Sequence, residues 1–255
     1  MLRSLTLEHL AGAGAIDLDR LIGFPDSMIA RVVPVAEDPL LLLAEEYSEW
    51  TADAKAFIGR PPELMGLEPV PNQEARLRRK LFIHNTGHYC CALWALARGY
   101  RYVHEGGRDP EILAEVSATI AESGAAISAE YGFSLEDIAA YRQNLLDRLA
   151  CDVFVDSVTR VCREPLRKLG EHERLVGPLN LCIKHGLPYE HLARSIALVM
   201  RTDLFGDEQY RQMHAMLAAG GPERILTDVC HLGPGHPART FILKELDSPG
   251  FPCRQ

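Results

Sequence analysis

The chain has 255 residues, of which 47% are hydrophobic and 24% are charged, a composition typical of globular proteins. Its formal net charge of −8 argues against nucleic acid as a partner held by bulk electrostatic attraction. No uninterrupted apolar run approaches the ~20 residues of a membrane span, and the N-terminus lacks the layout of a signal peptide. We therefore expect neither nucleic acid nor a membrane as a partner.

The cysteines and histidines give no sign of a disulfide framework or a metal site. Seven cysteines are present, an odd number, and none stands in a CxxC spacing. The histidines in the second half of the chain have no spacing typical of metal ligands. We expect reduced thiols in a cytoplasmic protein, and no metal.

The N-terminal third shows short, weak signals. Gly12 and Gly14 lack a preceding hydrophobic strand and a third glycine, which predicts a flexible turn and not a dinucleotide-binding loop. Residues 28–33 have the character of a short strand closed by Pro34. Between residues 38 and 60, large apolar side chains recur every three or four positions, a spacing that favours a helix.

Residues 80–88 bring three chemically useful side chains together. On an α-helix, at ~100° per residue, Lys80, His88 and Asn85 fall at about 0°, 80° and 140° and so share one side. Lys80 supplies an amine that becomes a base when desolvated, Asn85 supplies an amide, and His88 supplies an imidazole. They can take a proton from an alcohol while binding the oxygen that becomes a carbonyl.

A purely structural interpretation fits the same residues. Lys80 would end a basic face, Asn85 would mark a helix break, and His88 would be a core imidazole. Gly87 within a helix costs ~1 kcal/mol relative to alanine. Either close packing or a site must offset that cost, and the spacing does not decide between them.

The helices after this motif have clear local signals. Asp109 as N-cap and Pro110 at N1 predict a helix over Pro110–Tyr131, ended by Gly132. Ser134 begins a capping motif for the next helix, which is predicted to run to Ala150.

The C-terminal region is less regular. Residues 207–231 are predicted to form two helices, split where two glycines precede Pro222. The proline-rich tail after Pro234 has few helix formers and is predicted to be loosely held.

A second stretch concentrates positive charge in this acidic chain. Within nine residues it has four cations: Arg160, Arg163, Arg167 and Lys168. They fit a solvated basic face that is salt-bridged to its neighbours. They fit equally a binding site, because the planar fork of an arginine matches the geometry of a phosphate.

The first motif carries a family resemblance. The run from residue 79 to residue 88 reads Arg-Lys-Leu-Phe-x-x-Asn-Thr-Gly-His and resembles the Lys-x4-Asn-x2-His signature of the polyol-specific long-chain dehydrogenases, the mannitol dehydrogenase family. It is most similar to the mannitol-1-phosphate 5-dehydrogenase branch, over roughly residues 24–200. The resemblance implies metal-free hydride transfer between a secondary alcohol and NAD. Lys80 would be the general base, and Asn85 and His88 would bind the reacting oxygen.

The resemblance extends to the basic stretch. Arg160 and Lys168 have the spacing of the family's Arg-x7-Lys element, whose side chains reach substrate oxygens. Arg163 and Arg167 resemble the extra cations of the sugar-phosphate branch, and one of them is expected to bind the phosphate.

The resemblance also implies a fold. We expect a mainly α, multi-helical C-terminal domain of the mannitol dehydrogenase type, similar to the C-terminal domain of 6-phosphogluconate dehydrogenase, with a short strand-bearing N-terminal remnant. Residues 1–34 would be the end of a Rossmann domain and a linker, and residues 35–255 the helical substrate-binding and catalytic domain. A strand is expected at residues 45–50, where spacing alone favours a helix.

Most of the family's nucleotide-binding domain lacks a counterpart in this sequence. We therefore expect the chain alone to be inactive with NAD, and to associate with itself or with a separate Rossmann-domain chain. The implied reaction is oxidation of mannitol 1-phosphate to fructose 6-phosphate. An unphosphorylated polyol or a hexuronate as substrate, or a non-catalytic remnant or polyol-binding module, remain the alternatives.

Overall fold

The computed structural model describes residues 2–10, 20–30, 40, 48–153 and 155–248. Its contacts divide the chain into two compact units, Met1–Leu77 and Arg78–Gln255. The turn predicted at Gly12 and Gly14 and the domain boundary predicted at residue 34 lie outside the described residues.

The first unit contains a small mixed sheet. Its elements are α1 (Leu2–Leu10), β1 (Ser27–Ala30), β2 (Glu49–Asp53), a single 3₁₀ turn (Ala54–Ala56) and β3 (Leu67–Val70). The central strand β2 pairs antiparallel with β1 and parallel with β3, so that Thr51 lies opposite both Met28 and Glu68. Met28, Ala52 and Val70 are buried.

The sheet decides between the two interpretations of residues 38–60. In the described part of this segment, residues 49–53 form a strand, because pairing on both sides outweighs the helical spacing of the side chains. The strand predicted from the family resemblance at residues 45–50 therefore overlaps β2 at its end, and residues 45–47 lie outside the described part.

The second unit is helical, as the family resemblance predicts. After α2 (Gln73–Arg79) and a π-helical turn (Lys80–Asn85) its helices are α3 (Thr86–Ala97), α4 (Val103–Arg108), α5 (Pro110–Tyr131), α6 (Leu135–Leu149), α7 (Val158–Cys162), α8 (Pro165–Lys168), α9 (Val176–Lys184), α10 (Glu190–Arg201), α11 (Glu208–Asp228) and α12 (Pro237–Asp247). The predicted multi-helical fold is confirmed.

Helix α5 is the longest core helix and has the predicted ends. The Asp109 carboxylate accepts hydrogen bonds from the backbone of residues 111 and 112, Pro110 occupies the first turn, and Gly132 adopts the left-handed conformation at φ 74°. The helix packs against α3, α6, α9 and α10. Length and composition alone would allow it to span a membrane, but half of its most apolar window is buried inside the fold, as in a core helix.

The C-terminal predictions are partly wrong. Helix α11 has the predicted break, at Gly221 with φ 67°. The described part of the tail, however, forms α12 and packs against α10 with Ile242 fully buried; residues 249–255 lie outside the described part. Pro237 occupies the first turn of α12, where a proline favours the helix instead of disrupting it.

Gly87 is explained by close packing. A Cβ at this position would lie 2.7 Å from Leu145 Cδ2 on α6 and 2.9 Å from Ile120 Cγ2 on α5. Glycine therefore allows three helices to approach one another, and their packing offsets its low helix propensity.

Gly87→Ala tests this packing. Overpacking costs ~1–3 kcal/mol and alanine recovers ~1 kcal/mol of helix propensity, so we expect a net loss of stability on the order of 1 kcal/mol in denaturant unfolding. Gly233→Ala is the control, because nothing lies within 4 Å of a Cβ there. A stabilised Gly87→Ala protein would contradict the tight contact.

Candidate active site

The motif lies on a π-helical turn and not on a regular α-helix as predicted. Residues Lys80–Asn85 form the π turn, and His88 lies in the first turn of α3. Bonding from i to i+5 gives ~4.4 residues per turn, or about 80° per residue. Lys80 and Asn85 are then separated by about 50° around the axis, and all three motif residues fall within an arc of about 60°. The π turn thus groups them more closely than an α-helix would.

Contacts on both sides of the helix hold this turn. The Thr86 hydroxyl lies 3.4 Å from the carbonyl oxygen of Leu81, five residues earlier, and is also hydrogen-bonded to the carbonyl oxygen of Arg174. On the buried face, the Phe82 ring packs on Gly177, where a Cβ would come within 2.5 Å of the ring. The extra residue in the turn is therefore fixed by packing against residues about 90 positions away.

His84 lies in the π turn, between Lys80 and His88 in sequence. Burial, helped by the positive charge of Arg148 and by His88 and Lys80, lowers the pKa of His84 to about 3. The ring is therefore neutral at pH 7 and adds no positive charge beside Lys80.

His88 contacts a carboxylate that the sequence analysis did not identify. Its Nε2 lies 3.2 Å from Asp156 Oδ2. The same carboxylate binds the fork of Arg160, with Arg160 Nε 2.7 Å from Oδ1 and Nη2 hydrogen-bonded to Oδ2. The spacing of four between Asp156 and Arg160 was a usable signal for their pairing, but nothing local links either residue to His88.

The basic stretch lines a cleft together with His88. The cleft has a volume of about 400 Å³ and is lined by His88, Arg160, Val161, Arg163, Glu164, Arg167, Lys168 and Arg174. A second cleft of about 740 Å³ shares Arg160, Arg163 and Glu164 with it. The sequence analysis did not single out Arg174.

The cations of the cleft differ in how far they are already engaged. Arg167 donates to Glu164 at 2.7 Å and to Glu173 at 3.3 Å. Arg163 Nε is 3.9 Å from Asp207 Oδ2, beyond hydrogen-bonding distance. Within the described part of the chain, the Arg163 side chain donates no hydrogen bond.

Lys168 is the most buried of these cations. Its amine donates to the carbonyl oxygen of Val161 at 2.6 Å and to that of Arg163. It lies 4.8 Å from the centre of the Tyr89 ring. Burial, with the nearby charge of Arg174, lowers the pKa of Lys168 to about 8. Its predicted contact with substrate remains a prediction, and the amine would have to leave these carbonyls to make it.

The predicted site residues are thus brought together in part. His88 and all four cations of the basic stretch line one cleft. Lys80 and Asn85 are not among the described residues that line it, but ideal π- and α-helix geometry puts them on the same arc as His88. Among the described residues, no group of three or more histidine, cysteine, aspartate or glutamate side chains has the arrangement of a metal site.

Comparison with known proteins identifies the family. The mannitol dehydrogenase C-terminal domain matches residues 74–218, more than half of the chain. Mannitol-1-phosphate 5-dehydrogenases of Bacillus licheniformis, Bacillus velezensis and Bacillus subtilis are each 34% identical, over 88%, 96% and 94% of the chain. The matches span 60%, 65% and 64% of these relatives' own lengths.

Solved structures show the same fold. The Pseudomonas fluorescens mannitol 2-dehydrogenase, in a ternary complex with NAD and D-mannitol, superposes with a TM-score of 0.71 at 20% identity, covering 88% of this chain and 50% of that one. A substrate-free D-sorbitol dehydrogenase gives 0.63 at 17% identity, over 88% and 51%.

The low pKa of His84 predicts a pH dependence of stability. An unfolded histidine takes up a proton below its ordinary pKa of ~6.5, whereas folded His84 does so only near pH 3. Stability present above pH 6.5 is therefore lost as the pH falls from 6.5 towards 3. Between pH 8 and pH 5 this loss is roughly 1–2 kcal/mol.

Denaturant unfolding of His84→Gln at both pH values measures it. We expect the variant to lose roughly 1–2 kcal/mol less than the wild type between pH 8 and pH 5. The exposed His172 supplies the control. The His172→Gln variant should still show the loss of stability between pH 8 and pH 5 that is due to His84. Equal losses in the wild type and His84→Gln would show that folded His84 is readily protonated.

Proposed function

Because the chain belongs to the mannitol dehydrogenase C-terminal domain family, we propose that it is the substrate-binding and catalytic part of an NAD-dependent polyol-phosphate oxidoreductase. The proposed reaction is oxidation of mannitol 1-phosphate to fructose 6-phosphate, and its Bacillus relatives are named mannitol-1-phosphate 5-dehydrogenases. The unpaired thiols of the described cysteines suit a cytoplasmic enzyme.

One observation carries the choice of a phosphorylated substrate. The cleft beside His88 gathers five cations in a chain of net charge −8. Arg163 lines it with no hydrogen-bonding partner for its side chain among the described residues. An unphosphorylated polyol has no charge to match that guanidinium. A phosphate does, and an arginine fork binds it with two parallel hydrogen bonds.

The comparison of Arg163 and Arg167 refines the prediction that one of them binds phosphate. Releasing Arg167 would break its contacts with two glutamates, whereas Arg163 has only a distant carboxylate to leave. Arg163 is therefore the proposed phosphate ligand, and Arg167 shapes the wall of the cleft.

The motif residues perform the proton chemistry in this proposal. Lys80 takes the proton of the hydroxyl that is oxidised, and the Asn85 amide donates to the oxygen as it becomes a carbonyl. His88 fixes the polyol next to them from the cleft. The grouping of the three residues within an arc of about 60° on the π turn supports this arrangement.

NAD is the hydride acceptor in the proposed reaction, and the described residues do not supply a cradle for it. The three-stranded sheet has no strand, glycine-rich turn and helix in succession to hold a pyrophosphate. We place NAD on a nucleotide-binding part outside these 255 residues, in line with the 60–65% of the relatives' length that the matches span.

The surface of the first unit supports the proposal that the chain packs against such a nucleotide-binding part or against another copy of itself. Several of its large apolar side chains are exposed, among them Leu21, Ile29, Leu64 and Met65. Where such side chains form one contiguous patch, that patch marks an interaction site.

Phosphate recognition is tested by calorimetry on the chain itself. Arg163→Ala should weaken binding of mannitol 1-phosphate ~10–100-fold, since a hydrogen bond to a charged group contributes ~1.5–3 kcal/mol. Arg167→Ala should have a smaller effect, and Arg224→Ala, an exposed arginine paired with Asp228, is the matched control. Mannitol binding that equals mannitol 1-phosphate binding would favour the unphosphorylated alternative.

The role of Lys80 is tested by turnover. We expect no NAD reduction with mannitol 1-phosphate by the chain alone, and activity when the nucleotide-binding part of the Bacillus subtilis relative is supplied. Lys80→Ala should then lower turnover ~10²–10⁴-fold and be partly rescued by primary amines, because it removes the proton acceptor.

Lys184→Ala controls for loss of a surface lysine, since Lys184 is paired with Glu130. Substrate binding without turnover under every condition would support the binding-module alternative. Robust turnover by the chain alone would place a nucleotide site in the first 33 residues.

A further inference from the structure

A single carboxylate holds two of the side chains that line the cleft. Asp156 Oδ2 lies 3.2 Å from His88 Nε2, and both oxygens of Asp156 accept hydrogen bonds from the Arg160 guanidinium. Asp156 itself is not among the described residues that line the cleft, and its side chain is only 17% exposed. It therefore stands behind His88 and Arg160.

The backbone fixes the position of this carboxylate. The carbonyl oxygen of Asp156 accepts a hydrogen bond from the Val103 backbone N–H at 2.9 Å. The Val158 backbone N–H donates to the carbonyl oxygen of Arg101 at 3.0 Å. Ser157 caps α7 by accepting from the Arg160 N–H. Two backbone hydrogen bonds to residues 101–103 thus hold Asp156 and Val158 in place, and α7 packs against α3, which carries His88.

The charge state of Asp156 decides which ring nitrogen of His88 carries a proton. Burial alone would raise the pKa of Asp156, but the hydrogen bonds from His88 and Arg160 bring it below its ordinary value. An ionised carboxylate only accepts hydrogen bonds. At the 3.2 Å contact, His88 Nε2 meets this acceptor favourably only when it carries the proton. In the neutral ring the lone pair is then on Nδ1.

We propose that Asp156 is a positioning residue, which fixes His88 as the Nε2–H tautomer and holds the Arg160 fork in place beside it. His88 then presents Nδ1 as an acceptor for a polyol hydroxyl. A neutral Nδ1 does not stabilise an alkoxide, so the donor to the developing carbonyl oxygen is Asn85. The identity of the ligand rests on the proposed function, whereas the tautomer does not.

Long-range proton–nitrogen NMR of the ¹⁵N-histidine-labelled chain measures the tautomer directly. The spectrum is recorded at about pH 8, above the ordinary imidazole pKa of ~6.5, and His88 is assigned by its absence from His88→Gln. We expect a single Nε2–H tautomer in the wild type. Asp156→Ala should lose the exclusive tautomer and show the averaged nitrogen shifts of an unconstrained imidazole, while Arg160→Ala, which removes the other partner of the carboxylate, should retain the single tautomer.

Asp156→Asn is a second variant in case Asp156→Ala does not fold, because asparagine preserves the shape of the side chain. Its amide group can donate as well as accept, so the single tautomer should again be lost. A mixed or Nδ1–H state in the wild type, or an unchanged Nε2–H state in a folded Asp156 variant, would overturn the proposal.

Adding mannitol 1-phosphate separates this proposal from the proposed function. Saturation should shift the His88 Nδ1 resonance while the tautomer is retained, because Nδ1 accepts the new hydrogen bond. A bound ligand that leaves Nδ1 unmoved would overturn the acceptor role of His88. A wild-type Nε2–H tautomer that depends on Asp156, with no binding of mannitol 1-phosphate, would support the positioning role and count against the proposed function.

Discussion

The burial of α3 is the constraint on which the rest of the helical unit depends. Nine of its twelve residues are buried, and Gly87 allows α5 and α6 to approach the helix closely. A helix covered on nearly all sides can present polar groups only where its surface reaches a cleft. His88, near its N-terminus, is one of the few residues on α3 that remain partly exposed, and the cleft forms there.

The π turn resolves a conflict between burial and chemistry. Phe82 and Ile83 face the core, while the proposed proton chemistry needs Lys80, Asn85 and His88 on the opposite arc. An α-helix would spread these three over about 140°, whereas widening a single turn brings them within about 60°. The cost of the wider turn is offset by the contact of Phe82 with Gly177 and by the hydrogen bond from Thr86 to the backbone at Arg174.

Most of the positive charges in the cleft are paired within the protein. Like charges repel strongly when partly buried, and most of the clustered cations are matched by a carboxylate or a carbonyl. Arg160 is paired with Asp156, and Arg167 is paired with Glu164 and Glu173. The Lys168 amine donates hydrogen bonds to backbone carbonyl oxygens. Among the described residues, the Arg163 side chain has no hydrogen-bond acceptor within reach, as the proposed phosphate ligand requires. The two sequence interpretations of the basic stretch, a salt-bridged face and a phosphate site, are therefore compatible in different residues of one cluster.

The sequence by itself determined the features that depend on neighbours along the chain. The ends of α5 follow from Asp109, Pro110 and Gly132, because caps and left-handed glycines act within one turn. The family, and with it the mainly helical fold, followed from the resemblance of a few motif residues to the signature of the mannitol dehydrogenase family. Tertiary structure alone decided the π turn, the Asp156–His88 contact and the folding of the tail as α12. Each depends on side chains tens of residues apart, or on a surface such as that of α10, which exists only once the chain has folded.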